Sequence, residues 1–133
     1  MTSATLGDGG IYSNLEDLRK WDAALTNHTL LSAQDMAAAL TPTKLNDGSQ
    51  TMWPANAEDA AGTASKPVSY GFGWFLDPYK GHSRNWHTGE TLGFHTVIER
   101  FPQDHLSIIV LANRTDFDPK TIADKIADLI FEK

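Results

Sequence analysis

The fold is decided by the stretch Phe94-His-Thr-Val-Ile-Glu-Arg-Phe101, Pro102-Gln-Asp-His105, Leu106-Ser-Ile-Ile-Val-Leu-Ala112. Its two apolar runs are rich in β-branched and aromatic residues, which is typical of strands. The four residues between them, Pro102–His105, are few enough to be a hairpin connection. The stretch therefore predicts an antiparallel hairpin.

Two more strand candidates precede this hairpin. In Tyr70–Leu76 large apolar residues alternate with Gly71 and Gly73, which predicts one buried strand that another element can approach closely. Asp77–Gly81 is expected to turn, and Ser83–His87 is the next predicted strand. An antiparallel sheet of three to four strands is the economical interpretation.

Helix signals lie on both sides of these strands. Ser13 and Glu16 have the spacing of a capping box, and an apolar stripe that includes Trp21 predicts a helix ending near Asn27, with Trp21 in the core. Ser32 is expected to cap a second, shorter helix, which Pro42 prevents from continuing.

The C-terminal residues predict a third helix. Asp118 is placed as its N-cap and Pro119 at its first position. The apolar stripe of this helix is expected to cover one face of the sheet and consists of Ile122, Ile126, Leu129 and Ile130. Antiparallel strands with flanking helices predict an α+β fold.

Residues 41–69 are interpreted as one long loop inside the domain. The segment is rich in Thr, Asn, Asp, Gly, Ala and Pro and has no sustained periodicity. Loops of this length are often functional. With 133 residues, 41% of them hydrophobic, the default is one compact unit.

Composition excludes several classes of function. A net charge of -6, with 11 basic against 17 acidic residues, argues against nucleic acid as a partner. No apolar run is long enough to span a membrane. Without cysteine there is no disulfide framework or thiolate nucleophile, and the composition fits an oxidising or a reducing compartment, so localisation stays unknown.

An ordered set of motifs extends over nearly the whole chain. It starts with Gly9–Leu18, continues with Tyr70-Gly71-Phe72-Gly73-Trp74 and His87-Thr88-Gly89, and ends with Arg100-Phe101-Pro102 before the run Ile108–Asn113. In order and rough spacing this set resembles the C-terminal part of the serine β-lactamase-like family. That family includes class C β-lactamases, low-molecular-weight penicillin-binding proteins and related esterases.

The resemblance implies acyl transfer, in which an activated serine attacks an amide or ester carbonyl. His87-Thr88-Gly89 matches the family motif of the strand that lines the cleft. By this analogy His87 is the candidate catalytic residue, in the polar network beside the nucleophile, and Thr88 hydrogen-bonds the substrate. Gly89 lets the strand approach the substrate, and the backbone N–H of Glu90 contributes to an oxyanion hole.

The nucleophile motif of the family, Ser-x-x-Lys, does not occur in this sequence. Thr41-Pro-Thr-Lys44 has a hydroxyl and a lysine at that spacing, but it follows a predicted helix instead of opening one. Tyr12-Ser13-Asn14 matches the Tyr-x-Asn loop motif, yet Ser13 is already explained as a helix cap. The chain is therefore expected to be inactive alone.

These observations lead to the interpretation of residues 1–133 as a single incomplete β-lactamase-like domain. An apolar surface and an unpaired strand edge would then be exposed, and homo-oligomerisation through that edge could cover them. The resemblance implies no cofactor. No metal site is expected, because the spacing of His82, His87 and His95 is not that of a zincin and the sequence shows no obvious carboxylate partner for them.

Three interpretations of the function stay open. The complete protein would act on a small-molecule or peptide-like acyl substrate, as a β-lactamase, a D,D-peptidase or an esterase. The chain could instead be a non-catalytic module that binds such ligands. It could also be an interaction piece that pairs through its sheet edge.

Overall fold

The computed structural model describes residues 9–53 and 68–132. Its elements, in chain order, are α1 (Leu15–Thr26), α2 (Ala33–Ala39), β1 (Met52–Trp53), β2 (Val68–Tyr70), β3 (Phe75–Tyr79), β4 (His82–Thr91), β5 (Phe94–Phe101), a 3-10 turn (Pro102–Asp104), β6 (Leu106–Ala112) and α3 (Pro119–Phe131). The strands form one antiparallel sheet in the order β1-β2-β3-β4-β5-β6. The α+β prediction is confirmed, but the described sheet has six strands instead of three to four. None of the described helices has the length and hydropathy needed to cross a bilayer.

The β5–β6 hairpin has the bounds that the sequence predicts. Its register runs from His95 opposite Ala112 to Phe101 opposite Leu106. The 3-10 turn closes it, and His105 follows in the left-handed region at φ 51°. This hairpin is the centre around which the other elements are placed.

The prediction of one strand over Tyr70–Leu76 is wrong, because β2 ends at Tyr70 and β3 begins at Phe75. The chain turns between them, where the Gly71 N–H donates to the Trp74 carbonyl at 2.8 Å. A Cβ on Gly71 would lie 2.2 Å from the Ala39 carbonyl oxygen, so glycine is needed where α2 ends against this turn. The predicted close approach is therefore real, although it occurs at a turn instead of a strand.

Two other boundaries differ from the sequence prediction. The turn expected over Asp77–Gly81 is restricted to Lys80 and Gly81, which both have positive φ, and β3 continues to Tyr79. The loop predicted over 41–69 contains β1 and the start of β2, and Lys44 forms an isolated bridge with Gln50. Residues 54–67 of that loop lie outside the described part of the chain.

Helices α1 and α3 lie on opposite faces of the sheet. Adjacent residues of a strand point to opposite faces, and in β5 the Arg100 side chain reaches Asp22 of α1 at 2.5 Å. Its neighbour Glu99 lies 3.7 Å from Lys120 of α3. The sheet is therefore the middle of three layers.

The face of α3 that contacts the sheet is made of small residues. Ala123 and Ala127 are fully buried against Val97 and Phe101, with Ile108 in the same core. The predicted apolar stripe is instead exposed, with relative accessibilities of 39% for Ile122, 36% for Ile126, 72% for Leu129 and 42% for Ile130. The prediction that this stripe covers the sheet is wrong, because the alanine face allows the closer approach.

Helix α1 also departs from the prediction in two details. Its N-cap is Asn14, whose side chain accepts from the Asp17 N–H at 3.0 Å, so the cap lies one residue after the predicted Ser13. Trp21 is 47% exposed instead of lying in the core, whereas Leu25 is buried. The other predicted caps, Ser32 and Asp118, are confirmed.

A buried cluster of charges joins the sheet to α3. The Arg84 guanidinium donates to Asp77 at 2.6 Å, to Asp124 of α3 at 2.8 Å and to Glu99 at 3.3 Å. Burial raises the pKa of Glu99 to about 7. This cluster fixes β3, β4 and β5 relative to α3.

Candidate functional site

Strand β4 extends past the end of its neighbour β3, and the predicted site residues occupy the overhang. β3 pairs with β4 from Tyr79 opposite His82 to Phe75 opposite Trp86. From 87 to 91, β4 pairs with β5 alone among the described residues. The structure therefore brings His87, Thr88, Gly89 and Glu90 together on a half-strand with one edge, the open edge, that no described strand pairs with.

His87 is held through both ring nitrogens. Its Nδ1 lies 2.6 Å from the carbonyl oxygen of Thr88, and its Nε2 lies 3.0 Å from the hydroxyl of Tyr70. The ring also stacks on Phe75, with centroids 5.3 Å apart and 24° between the planes. The imidazole is thus fixed at the point where β3 ends.

Thr88 and Gly89 are exposed on the overhang. Gly89 lies opposite Thr96 of β5, whose hydroxyl donates to the Gly89 carbonyl at 3.3 Å. A Cβ on Gly89 would lie 2.6 Å from that Thr96 oxygen. Glycine therefore suits this position because of its cross-strand neighbour, whatever binds at the open edge.

Glu90 is part of β4. Its carboxylate is 80% exposed and lies 3.3 Å from Nε2 of His95, its cross-strand partner. The Phe117 carbonyl, which accepts from His95 Nδ1 at 3.1 Å, raises the pKa of His95, and Glu90 adds to this effect. The Glu90 side chain thus pairs with His95 across the sheet. The part of Glu90 that concerns the candidate site is its backbone N–H.

An aromatic group supports the overhang at its base. Phe75 stacks on Trp86 at 4.5 Å and 26°, and Tyr70 meets Phe75 edge-on at 4.8 Å. The Trp86 indole N–H donates to Asp77 at 2.8 Å, which orients the ring toward the charged cluster. Trp86 therefore supports the strand through its contacts with Phe75 and Asp77.

Tyr70 and Phe75 were not predicted as site residues. Their proximity to His87 depends on the β2–β3 turn, which the sequence pattern assigned to the middle of one strand. A signal was nevertheless present, because Tyr70 is the first residue of the Tyr-Gly-Phe-Gly-Trp motif and Phe75 follows its last.

The hydroxyl and lysine of the Thr41–Lys44 segment do not form a nucleophile pair. The Thr41 hydroxyl donates to the Ala37 carbonyl at 2.8 Å at the end of α2, and Lys44 lies in the bridge with Gln50. Among the described residues, no group of three or more His, Cys, Asp or Glu side chains could hold a metal ion.

Comparisons with known proteins place this geometry in context. The chain matches the Beta-lactamase family model over residues 1–131. Penicillin-binding protein 4* from Bacillus subtilis (strain 168) is 29% identical over 112 residues, which is 83% of this chain and 21% of that protein. The chain thus spans about a fifth of the length of this relative.

Two solved structures have the same fold over most of this chain. The octameric penicillin-binding protein homologue from Pyrococcus abyssi superposes with a TM-score of 0.69 at 19% identity, covering 91% of this chain and 25% of that one. The penicillin binding protein from Bacillus halodurans gives a TM-score of 0.59 at 22% identity, covering 84% and 29%.

Proposed function

We propose, from the premise that this chain belongs to the β-lactamase family, that it supplies the substrate-side strand of a serine acyl-transfer site. The site would act on amide or ester carbonyls. The observation that carries the proposal is that β4 from 87 to 91, which contains the His87-Thr88-Gly89 motif, has one edge with which no described strand pairs.

An open strand edge has the chemistry that an acyl substrate requires. A peptide-like ligand can add to such an edge through backbone hydrogen bonds, which align its carbonyl. The Thr88 hydroxyl would hold the ligand, and the Glu90 N–H would donate to the oxygen that becomes negative in the transition state. His87 would belong to the polar network beside the attacking group.

The nucleophile of the reaction is proposed to lie outside this sequence, because no serine in it is followed by lysine three residues later. A hydroxyl needs an adjacent base to attack a carbonyl at neutral pH. On this proposal the isolated chain binds an acyl ligand but forms no covalent adduct with it. No cofactor is required for such chemistry.

The proposal is tested by equilibrium dialysis of the chain against labelled benzylpenicillin, with intact-mass spectrometry of the same samples. Saturable binding without an adduct is expected, and Thr88→Val should weaken it by about 2- to 10-fold, the effect of one lost hydrogen bond. Thr115→Val, on the exposed connection before α3, is the control. An adduct mapped to any hydroxyl, or equal binding by Thr88→Val, would refute the proposal.

Self-association is the second part of the proposal. Among the described residues, β6 pairs only with β5 and therefore forms one edge of the sheet. Its sequence, Leu-Ser-Ile-Ile-Val-Leu-Ala, is almost entirely apolar, and such an edge favours pairing with another chain. A second copy that docks at β6 would also be compatible with an interaction role without catalysis.

A further inference from the structure

The two contacts of the His87 ring determine which nitrogen carries the proton. Nδ1 faces the Thr88 carbonyl oxygen at 2.6 Å, and a carbonyl oxygen can only accept, so Nδ1 carries hydrogen. In the neutral ring Nε2 then offers only a lone pair. The Tyr70 hydroxyl, 3.0 Å from Nε2, must therefore be the donor.

We propose that Tyr70 is the positioning residue of His87: its hydroxyl fixes the imidazole in the Nδ1–H tautomer and sets the direction of the ring. The relevance of this tautomer to catalysis rests on the proposed function, in which His87 lies beside the nucleophile. The assignment of the hydrogen bonds does not depend on the proposed function.

The strand arrangement explains how Tyr70 reaches a residue two strands away. Tyr70 of β2 lies opposite Phe75 of β3, which lies opposite Trp86 of β4. Because β3 begins at Phe75, no β3 residue pairs with His87, and the Tyr70 side chain crosses beyond the end of β3. Phe75 contacts both rings and holds them in this arrangement.

The surroundings keep the phenol in its donor form. Tyr70 is partly buried, and burial raises the pKa of its hydroxyl above the ordinary value. The phenol is therefore protonated at neutral pH and can donate to Nε2.

This arrangement changes the role expected for His87. Its Nε2 lone pair accepts the hydrogen bond of the Tyr70 hydroxyl, so Nε2 takes up a proton directly from a reacting group only after that hydrogen bond is broken.

The test is nitrogen NMR of the histidine side chains in the 15N-labelled chain, at a pH where the imidazoles are neutral. Comparison with His87→Gln identifies the His87 signals among the five histidines. The expected spectrum shows Nδ1 as the protonated, pyrrole-type nitrogen and Nε2 as the pyridine-type nitrogen. In Tyr70→Phe both signals should move toward each other, because both tautomers become populated.

Tyr79→Phe is the matched control, since Tyr79 is also a partly buried strand tyrosine, and its hydroxyl donates to Asp128 on α3 at 2.7 Å. It should leave the His87 signals in place. A wild-type Nε2 that carries hydrogen in the neutral ring, or His87 signals unaffected by Tyr70→Phe, would overturn the assignment. No ligand or turnover is needed, so failure of the proposed function would not alter this result.

Discussion

Gly89 combines a structural requirement with a place in the proposed site. Gly89→Ala should lower the free energy of unfolding by about 1–3 kcal/mol, because the added methyl group meets the Thr96 hydroxyl of the neighbouring strand. The double variant with Thr96→Ala removes that oxygen and should recover most of the loss. Urea unfolding of the wild type, the two single variants and the double variant measures the coupling energy between Gly89→Ala and Thr96→Ala. Additive effects of the two substitutions would show that this contact is not the cause.

Glu99 predicts an unusual dependence of stability on pH. Its pKa rises from an ordinary 4.5 to about 7 in the folded chain, mainly through burial. A carboxyl with a raised pKa favours the folded state while it is neutral, and this advantage disappears as the pH rises through the folded-state pKa. As the pH rises from about 4.5 to 7, the free energy of unfolding of the wild type should therefore fall by up to about 3 kcal/mol relative to that of Glu99→Gln.

Urea unfolding of both proteins over this pH range checks the prediction for Glu99. The exposed Glu16→Gln is the control and should show no such growing difference, because Arg19 lowers the pKa of Glu16. Stability curves of wild type and Glu99→Gln that run parallel across the range would mean that Glu99 ionises normally in the folded chain.

Site residues could be predicted only where a local motif identifies them. His87, Thr88, Gly89 and Glu90 follow one another in sequence, and the structure places them on one half-strand. Whether they bind substrate stays a prediction. Tyr70 was missed because its contact with His87 joins residues 17 positions apart and depends on where β3 begins.

Helix α3 shows that the most apolar face of a helix is not always the buried one. Ala127 is fully buried, so Ala127→Leu should overpack the core and cost about 1–3 kcal/mol. Leu129 is 72% exposed, and Leu129→Ala should change the free energy of unfolding by less than about 0.5 kcal/mol. Urea unfolding at low protein concentration compares the free energies of unfolding of the two variants with that of the wild type. A larger loss from Leu129→Ala would mean that the outer face of α3 is covered in solution.

Element type was more predictable than element extent. The β5–β6 hairpin and the start of α3 have the predicted bounds because turn and capping residues mark them locally. The β2–β3 turn was missed because Gly71 and Gly73 stand among aromatic residues that alternate like a strand. At this turn the Ala39 carbonyl approaches Gly71, and this contact between distant parts of the chain is not visible in a local pattern.

Two apolar surfaces of the described residues, the β6 edge and the exposed outer face of α3, are where we predict self-association. Sedimentation velocity over a concentration series should show reversible association, and Leu111→Lys on β6 should shift it toward monomer, because a charged edge resists strand pairing. Leu45→Lys, at an exposed turn outside the named strands, is the control and should leave the association unchanged. A wild type that stays monomeric at high concentration contradicts this prediction.

The family of the molecule was predictable because its motifs keep their order along the chain, and the family match over residues 1–131 confirms the resemblance. The exposure of the apolar stripe on α3 was not predictable, since it depends on which face of the helix packs against the sheet. Hydrophobic periodicity identifies an apolar face but does not identify what covers it.

The most direct test of the proposed site is the titration of the 15N-labelled chain with benzylpenicillin, followed through the backbone amide signals. The account predicts saturable shifts that are largest at Thr88 and Glu90, on the open edge of β4, and absent from the exposed face of α3. Shifts centred elsewhere, or none at saturating ligand, would contradict the claim that this edge is the substrate-side strand.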